Sequence, residues 1–497
     1  MNYLIGIDIG TSSTKAVLFD TAGNIVRQAS AEYPLYQPKA GWAEQRPEDW
    51  WQAAVKVLKE LSDYPIAAVG LSGQMHGLVM LDKDGNVLRN AIIWCDQRTI
   101  KECEEITAKL GSRLIDITGN PALTGFTASK IMWVRNNEPE IYERCAKILL
   151  PKDYIRYKLS GIFATEVSDA SGMQLLDIRK RDWSDEVLNA LEIDEGLLAD
   201  VYESQYISSV VSPEAASVTG LAEGTSIGGG AGDQAAAAIG MGIVAGGDTS
   251  LTLGSSGVVF SAADSPIIDK KGRIHSFCHA IPGGYHIMGV TQGAGLSIKW
   301  YKDILCKEEQ TEAKKKRISV YKIIDTAIAA TPVGSNGVYY LPYLMGERTP
   351  HLDPYARGVF FGMSGATVKA DMSRAVMEGV CYSLKDCLEV IRENKIKAGI
   401  TQIKVNGIEG IKITTDQDVN MMGIMERWID EEIRDYSQQG RLRNTEQFLR
   451  DMFGDMIADS IEIVKTKIDI SDVLKDGYKN GDKYGYSYFG FLNYLFR

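Results

Sequence analysis

The apolar and polar positions change period along the chain, and each change marks an element. Leu4-Ile5-Gly6-Ile7-Asp8-Ile9 is an apolar, β-branched run that halts at Gly10, passes Thr11-Ser12-Ser13 and resumes as Ala16-Val17-Leu18-Phe19. That pattern predicts strand, tight turn, strand. A further strand is expected from Ile25. Pro47-Glu48-Asp49-Trp50 opens a helix that continues through Trp51, Ala54, Val55, Val57 and Leu58 at helical spacing. Ile66 to Ser72 is a short buried strand, and Ala91-Ile92-Ile93 another. A helix is predicted from Gly125-Phe126-Thr127, with Thr127 as its N-cap, and one more after Leu149-Leu150-Pro151. Thr165 to Gly172 is polar and turn-rich, and reads as a structural turn, with a loop near the site as the alternative. Ile227 to Gly232 is glycine-rich, and the alanines after Asp233 start a helix with Asp233 at its cap or first turn. Lys307 to Arg317 is a solvated charge run, and Ala370 to Leu388 is an amphipathic helix.

One pattern occurs twice. Asp248-Thr249-Ser250-Leu251-Thr252-Leu253 runs into Gly254-Ser255-Ser256-Gly257 and then Val258-Val259-Phe260. This repeats the plan of the first hairpin about half a chain later, so a duplicated domain with a nucleotide in the cleft between the copies is expected. The layout resembles the actin-like ATPase fold: α/β, two RNase H-like domains and a central cleft.

The chemistry-bearing residues gather at strand ends. Asp8 stands just before a turn of Gly10, Thr11, Ser12 and Ser13, with Lys15 beyond it. A carboxylate beside a Gly/Ser/Thr turn suits a place where Mg²⁺ and a nucleotide phosphate meet. Gly254, Ser255 and Ser256 offer a second phosphate-binding turn. Gln74, Met75 and His76 follow a strand between glycines, and Asp96 and Arg98 follow another. Together they suit a pocket for a small polyhydroxy ligand, although an isolated histidine is more often structural. Asp233 is either a helix cap or a carboxylate fixed at a helix start to accept a hydroxyl proton. His275, Cys278 and His279 lie on an alternating segment that sends Cys278 and His279 to opposite faces, which disfavours a metal site there.

Composition narrows the partners. The 497 residues carry 54 Lys+Arg against 65 Asp+Glu, a formal net charge of −11, which argues against nucleic acid or an anionic membrane as partner. Seven scattered cysteines without a paired spacing fit a reducing, cytoplasmic setting. No apolar run approaches the ~18 residues of a membrane span.

The motifs Gly125-x-Thr127-x-x-Lys130-Ile131-x-Trp133-Val134-x-Asn136-Asn137 and Gly358-x-Phe360-x-Gly362-Met363, with Asp371-Met372 and Ala375-Val376-Met377-Glu378 downstream, resemble the two signatures of the FGGY family of carbohydrate kinases. Asp8-x-Gly10-Thr11, Gly232-Asp233-Gln234 and Gly254-Ser255-Ser256-Gly257 match in order, and the resemblance spans roughly residues 3 to 395. It implies a sugar- and base-bearing domain over 1–244, a nucleotide domain over 245–397 and an atypical remainder over 398–497. Gln74-Met75-His76-Gly77, Asp96-Gln97-Arg98 and Gly346-Glu347-Arg348-Thr349-Pro350 are most similar to the xylulose-phosphorylating branch. The resemblance implies ATP-dependent phosphorylation of D-xylulose, with ribulose or glycerol as alternative substrates. Asp233 would be the catalytic base and Asp8 would hold Mg²⁺. Met75 and His76 would line the sugar, and Gly254, Ser255 and Ser256 would touch phosphate. A small-molecule sugar is the expected partner, and a homodimer is entertained as the assembly. Gln402 to Lys412 departs from the family's glycine-rich adenosine turn, which keeps a nucleotide-impaired, sugar-binding relative as a further reading.

Overall fold

The structure, a computed structural model, describes residues 2–394 and 399–405. The expected departure at 402–412 and the tail to 497 thus fall mostly outside the described residues. Two compact units divide the chain. Among described residues the first holds 2–246 and 262–286, and the second 247–261, 287–394 and 399–405.

The first unit is built on a seven-stranded sheet. Its strands are β1 (Tyr3–Ile9), β2 (Ser13–Asp20), β3 (Ile25–Glu32), β4 (Ile66–Gly73), β5 (Ile207–Val210), β6 (Ser226–Gly228) and β7 (Ala231–Gly232). They run in the order β5-β6-β4-β1-β2-β3, with β7 also beside β4. β1 and β2 form the expected antiparallel hairpin, and β1 lies parallel to β4. Alternation along β1 decides the two faces. Ile5, Ile7 and Ile9 enter a core with Trp50, Ala54, Val57, Leu58 and Leu61 of helix α1 (Pro47–Leu61). Leu4 faces the other way with Val17, Phe19 and Ala235, Ala236 and Ile239 of a second helix. Because side chains alternate along a strand, Asp8 belongs to the Leu4 face and not to the face that packs α1.

The second unit repeats the topology. β8 (Asp248–Leu253) and β9 (Gly257–Ala263) make an antiparallel hairpin, and β8 pairs in parallel with a later strand over Gly399–Val405. In both units a three-residue turn joins the hairpin, and the first hairpin strand has a parallel neighbour on its other side. The helix read from Ala370 to Leu388 extends over Lys369–Glu393 and buries Val376, Val380, Leu384, Leu388 and Ile391 along one face. This is the two-domain α/β fold of actin-like ATPases.

Two local expectations are corrected. Thr127 is the first residue of helix α2 (Thr127–Asn137), whose N-cap position is taken by Phe126, and the Thr127 hydroxyl bonds elsewhere. The segment Thr165 to Gly172 is not an open turn. It forms helix α3 (Val167–Ala170), buried throughout, which the Glu166 side chain caps by accepting from the Ser168 and Asp169 amides.

Candidate active site

The alternation that separates the faces of β1 also brings two carboxylates together. Helix α4 (Asp233–Gly240) packs on the Leu4 face through Ala235, Ala236 and Ile239, and its first residue is Asp233. Asp8 is on that same face, one residue short of the strand end. Burial, first, and then the negative charge of Asp8 push the Asp233 carboxyl up to about 7, while hydrogen bonds from Gln234 oppose the rise. Asp233 nonetheless keeps a partial opening to solvent. Asp8 Oδ1 accepts the Ser72 hydroxyl at 3.1 Å, and Lys15 is its register partner across the hairpin. Lys15 itself points to solvent.

Both glycine turns present their backbone in the same way. In the first, the Gly10 carbonyl accepts the Tyr33 hydroxyl, the Thr11 carbonyl accepts Gln45 Nε2 at 2.7 Å, and the Ser12 carbonyl accepts the Tyr33 amide at 3.2 Å. Trp94 Nε1 adds a bond to the Thr11 hydroxyl at 3.0 Å, and the Gly10 amide closes the turn on the Ser13 carbonyl. In the second, the Gly254 and Ser255 carbonyls accept the amides of Gly295 and Leu296, the opening residues of the helix Gly295–Leu305, at 2.8 and 3.1 Å. The Ser256 carbonyl accepts the Gly254 amide at 2.9 Å. Each turn therefore has its carbonyls engaged by protein donors, which leaves donor chemistry for an incoming anion. Nothing local in the sequence marks Tyr33, Gln45 and Trp94 for this role, because they are distant in the chain and carry no motif.

The loop after β4 supplies the third component. His76 adopts φ +67, a left-handed conformation uncommon for a non-glycine residue. Its Nδ1 lies 2.7 Å from the Gly172 carbonyl. A carbonyl only accepts, so Nδ1 carries the proton and, in the neutral ring, Nε2 is the acceptor. The ring packs edge-on against Phe126 at 4.8 Å between centroids. Met75 is buried against Gly232, where an added Cβ would stand 2.9 Å from Met75 Cγ. Met75 and His76 are thus adjacent to the segment that delivers Asp233.

The other sugar-side expectations have a different geometry. Gln74 is buried, with Nε2 donating to Gln45 Oε1 at 2.8 Å, and its amide donates to the Ile9 carbonyl. It ties the loop to the first hairpin. Asp96 and Arg98 are each about 1% exposed at the side chain and face one another, with Arg98 Nε and Nη2 on the Asp96 carboxylate at 2.9 and 2.7 Å. The Ala43 amide also donates to Asp96, Glu44 pairs with Arg98, and the guanidinium stacks 3.6 Å over Trp42. This pair is turned inward and braces the strand end.

Behind Asp233 lies a buried polar network. Ser168 Oγ accepts the Gly232 amide at 3.1 Å and donates to Glu166 Oε1 at 3.0 Å. Lys152 Nζ is 2.8, 3.2 and 3.4 Å from Asp153, Asp169 and Glu166. Arg156 Nη1 donates to the Gly228 carbonyl at 2.8 Å, and Nη2 to that of Gly229. The glycine run before Asp233 is therefore held from below by side chains of 151–169. No standard cap residue announces this arrangement, because the N-cap of α3 is Glu166 rather than Ser, Thr, Asp or Asn.

No set of three or more His, Cys, Asp or Glu that could hold a metal occurs among the described residues. Mg²⁺ does not need one, since it commonly takes one or two protein carboxylates and fills its shell with water and substrate phosphate. Asp8, with Asp233 close enough to feel its charge, fits that donor set.

The chain matches the model for the FGGY family of carbohydrate kinases, N-terminal domain, over residues 3–240, and that for the C-terminal domain over 249–408. It is 42% identical to a xylulose kinase of Bacillus subtilis, over 79% of this chain and 78% of that one. A gluconokinase of the same organism is 32% identical over 82% of this chain and 80% of that one. The solved xylulose kinase of Rhodospirillum rubrum superposes with a TM-score of 0.75 at 28% identity, covering 81% of both chains. With the hairpin repeat and the paired carboxylates already in place, these matches show that the chain belongs to the FGGY family of carbohydrate kinases.

Proposed function

We propose that this kinase transfers the terminal phosphoryl group of ATP to the terminal hydroxyl of D-xylulose, giving D-xylulose 5-phosphate and ADP. The observation that carries the reading is the placement of Asp233, the first residue of α4, on the same sheet face as Asp8, with burial first among the causes that raise its carboxyl. A base is most effective when its pKa lies near the working pH. Asp233 accepts the hydroxyl proton as the sugar oxygen forms its bond to the γ-phosphorus and the bond to the ADP oxygen breaks. Asp8 holds Mg²⁺, which offsets phosphate charge when bound. In the first unit the turn Gly10 to Ser13, followed by Lys15, and in the second the turn Gly254 to Ser256, each offers backbone and hydroxyl donors suited to phosphate oxygens.

On the sugar side Met75 supplies an apolar wall, and His76 Nε2 accepts a hydroxyl proton. Gln74, Asp96 and Arg98 act by bracing the pocket rather than by touching sugar. Residues 1–244 carry the sugar and the base, and 245–397 the nucleotide. Xylulose is preferred to ribulose, glycerol or gluconate on the similarity to xylulose kinases and on the Met75-His76 pair. The cytoplasm suits the seven free cysteines. Coupled ADP release over a panel of D-xylulose, ribulose, glycerol and gluconate tests the reading. D-Xylulose should give the highest kcat/KM, and a higher value for another member reassigns the substrate.

A further inference from the structure

Lys130 is fully buried, yet its ammonium donates to two main-chain carbonyls, those of His76 at 2.8 Å and Gly125 at 2.7 Å. Burial pushes this ammonium down to about 7, against the pull of Asp96. A lysine held in that state is a costly way to stabilise a fold, since an apolar side chain of similar volume would fill the space with less desolvation. The location of its partner explains why the cost is borne. The His76 carbonyl also accepts the Thr127 hydroxyl at 3.1 Å. Two donors from the first two turns of α2 therefore clamp one carbonyl, on the one residue of the sugar loop that sits at positive φ. From the other side, the His76 ring is fixed by the Gly172 carbonyl, at a position where any Cβ would come within 2.6 Å of Nδ1.

We infer that Lys130 and Thr127 are positioning residues for the sugar: by clamping the His76 carbonyl they hold the imidazole in the orientation that receives a ketose hydroxyl. Neither touches the substrate. Left-handed backbone at a non-glycine residue is strained and persists only where its surroundings over-determine it. Removing either donor relaxes the loop toward ordinary φ and turns the ring away.

This rests on the proposed sugar-kinase reading, and the test separates the two. Steady-state ADP release is measured for the wild type, Thr127→Val, Thr127→Ser and Lys130→Met, with KM for D-xylulose and for ATP determined separately and thermal melts alongside. Thr127→Val removes one hydroxyl at constant volume. It should raise the sugar KM about tenfold and leave the ATP KM within twofold, and Thr127→Ser should restore the wild-type value. Lys130→Met should raise the sugar KM further. Unchanged sugar KM in Thr127→Val, or equal rises in both KM values, overturns the inference even if Lys130→Met fails to fold. A wild type that releases no ADP with any sugar of the panel overturns instead the functional reading on which it rests.

Discussion

Replacing Asp233 with asparagine should do two opposite things to this protein. The carboxyl titrates at about 7 in the fold, against 3.8 for an ordinary aspartate. Each pH unit of difference represents ~1.36 kcal/mol, so charging Asp233 in the native state costs at most about 4 kcal/mol. Its partial opening to solvent lowers this to roughly 2 kcal/mol. A group whose folded pKa is raised favours the native state most below its unfolded pKa. That advantage is lost as pH climbs from about 4 through about 7. Asparagine cannot ionise and escapes the loss. In EDTA, without divalent cation, the melting temperature of Asp233→Asn relative to the wild type should therefore climb between pH 4 and 8 and then level, a gain of roughly 5 °C. At the same time kcat for ketose phosphorylation should fall by ~10² or more, the usual worth of general-base assistance. The pair of assays is thermal melting across pH and coupled ADP release. A pH-independent difference in melting temperature would mean that Asp233 is not electrostatically strained, and turnover within threefold of the wild type would leave it a helix-start residue and nothing more.

The loop around His76 and its supports make separate predictions. His76→Asn keeps a residue type at home at positive φ and a short donor for the Gly172 carbonyl, but loses the Nε2 side; the ketose KM should rise at least tenfold with the ATP KM unchanged in the same assay. Gly172→Ala drives a methyl into the His76 ring, where the gap is 2.6 Å, and should reproduce that phenotype without altering His76 itself. Ser168→Ala leaves the buried Gly232 amide without its acceptor, at ~1–3 kcal/mol, so kcat should drop roughly tenfold while both KM values hold within a factor of two. Asp8→Asn should lower turnover and raise the Mg²⁺ concentration needed for half-maximal rate, while calorimetry still detects ketose binding.

Much of this architecture is written in local patterns. The alternation in β1 and the proline start of α1 place both elements, and the second copy of the hairpin announces the duplicated topology. Asp8 and Asp233 are recognisable because each sits where a strand or glycine run ends. What stays hidden depends on contacts remote in sequence. Nothing near Asp96 and Arg98 reveals that Trp42, Ala43 and Glu44 consume them in a buried pair. Thr127 has the residue type of a cap, but the His76 carbonyl, 51 positions away in sequence, captures its hydroxyl. Segment 165–172 looks like a structural turn because it is polar. The Glu166 and Ser168 side chains are instead engaged internally, by Lys152, by Ser204 and by the Gly232 amide.

Whether Asp233 serves a sugar hydroxyl is the question on which the proposed activity turns. The most direct measurement is D-xylulose-dependent ADP release by the wild type and Asp233→Asn, side by side with D-xylulose binding by calorimetry. The expected result is robust, sugar-dependent turnover in the wild type, a loss of about a hundredfold or more in the variant, and D-xylulose affinity unchanged within threefold. Equal turnover in the two proteins, or an Asp233→Asn that no longer binds the sugar, would contradict it.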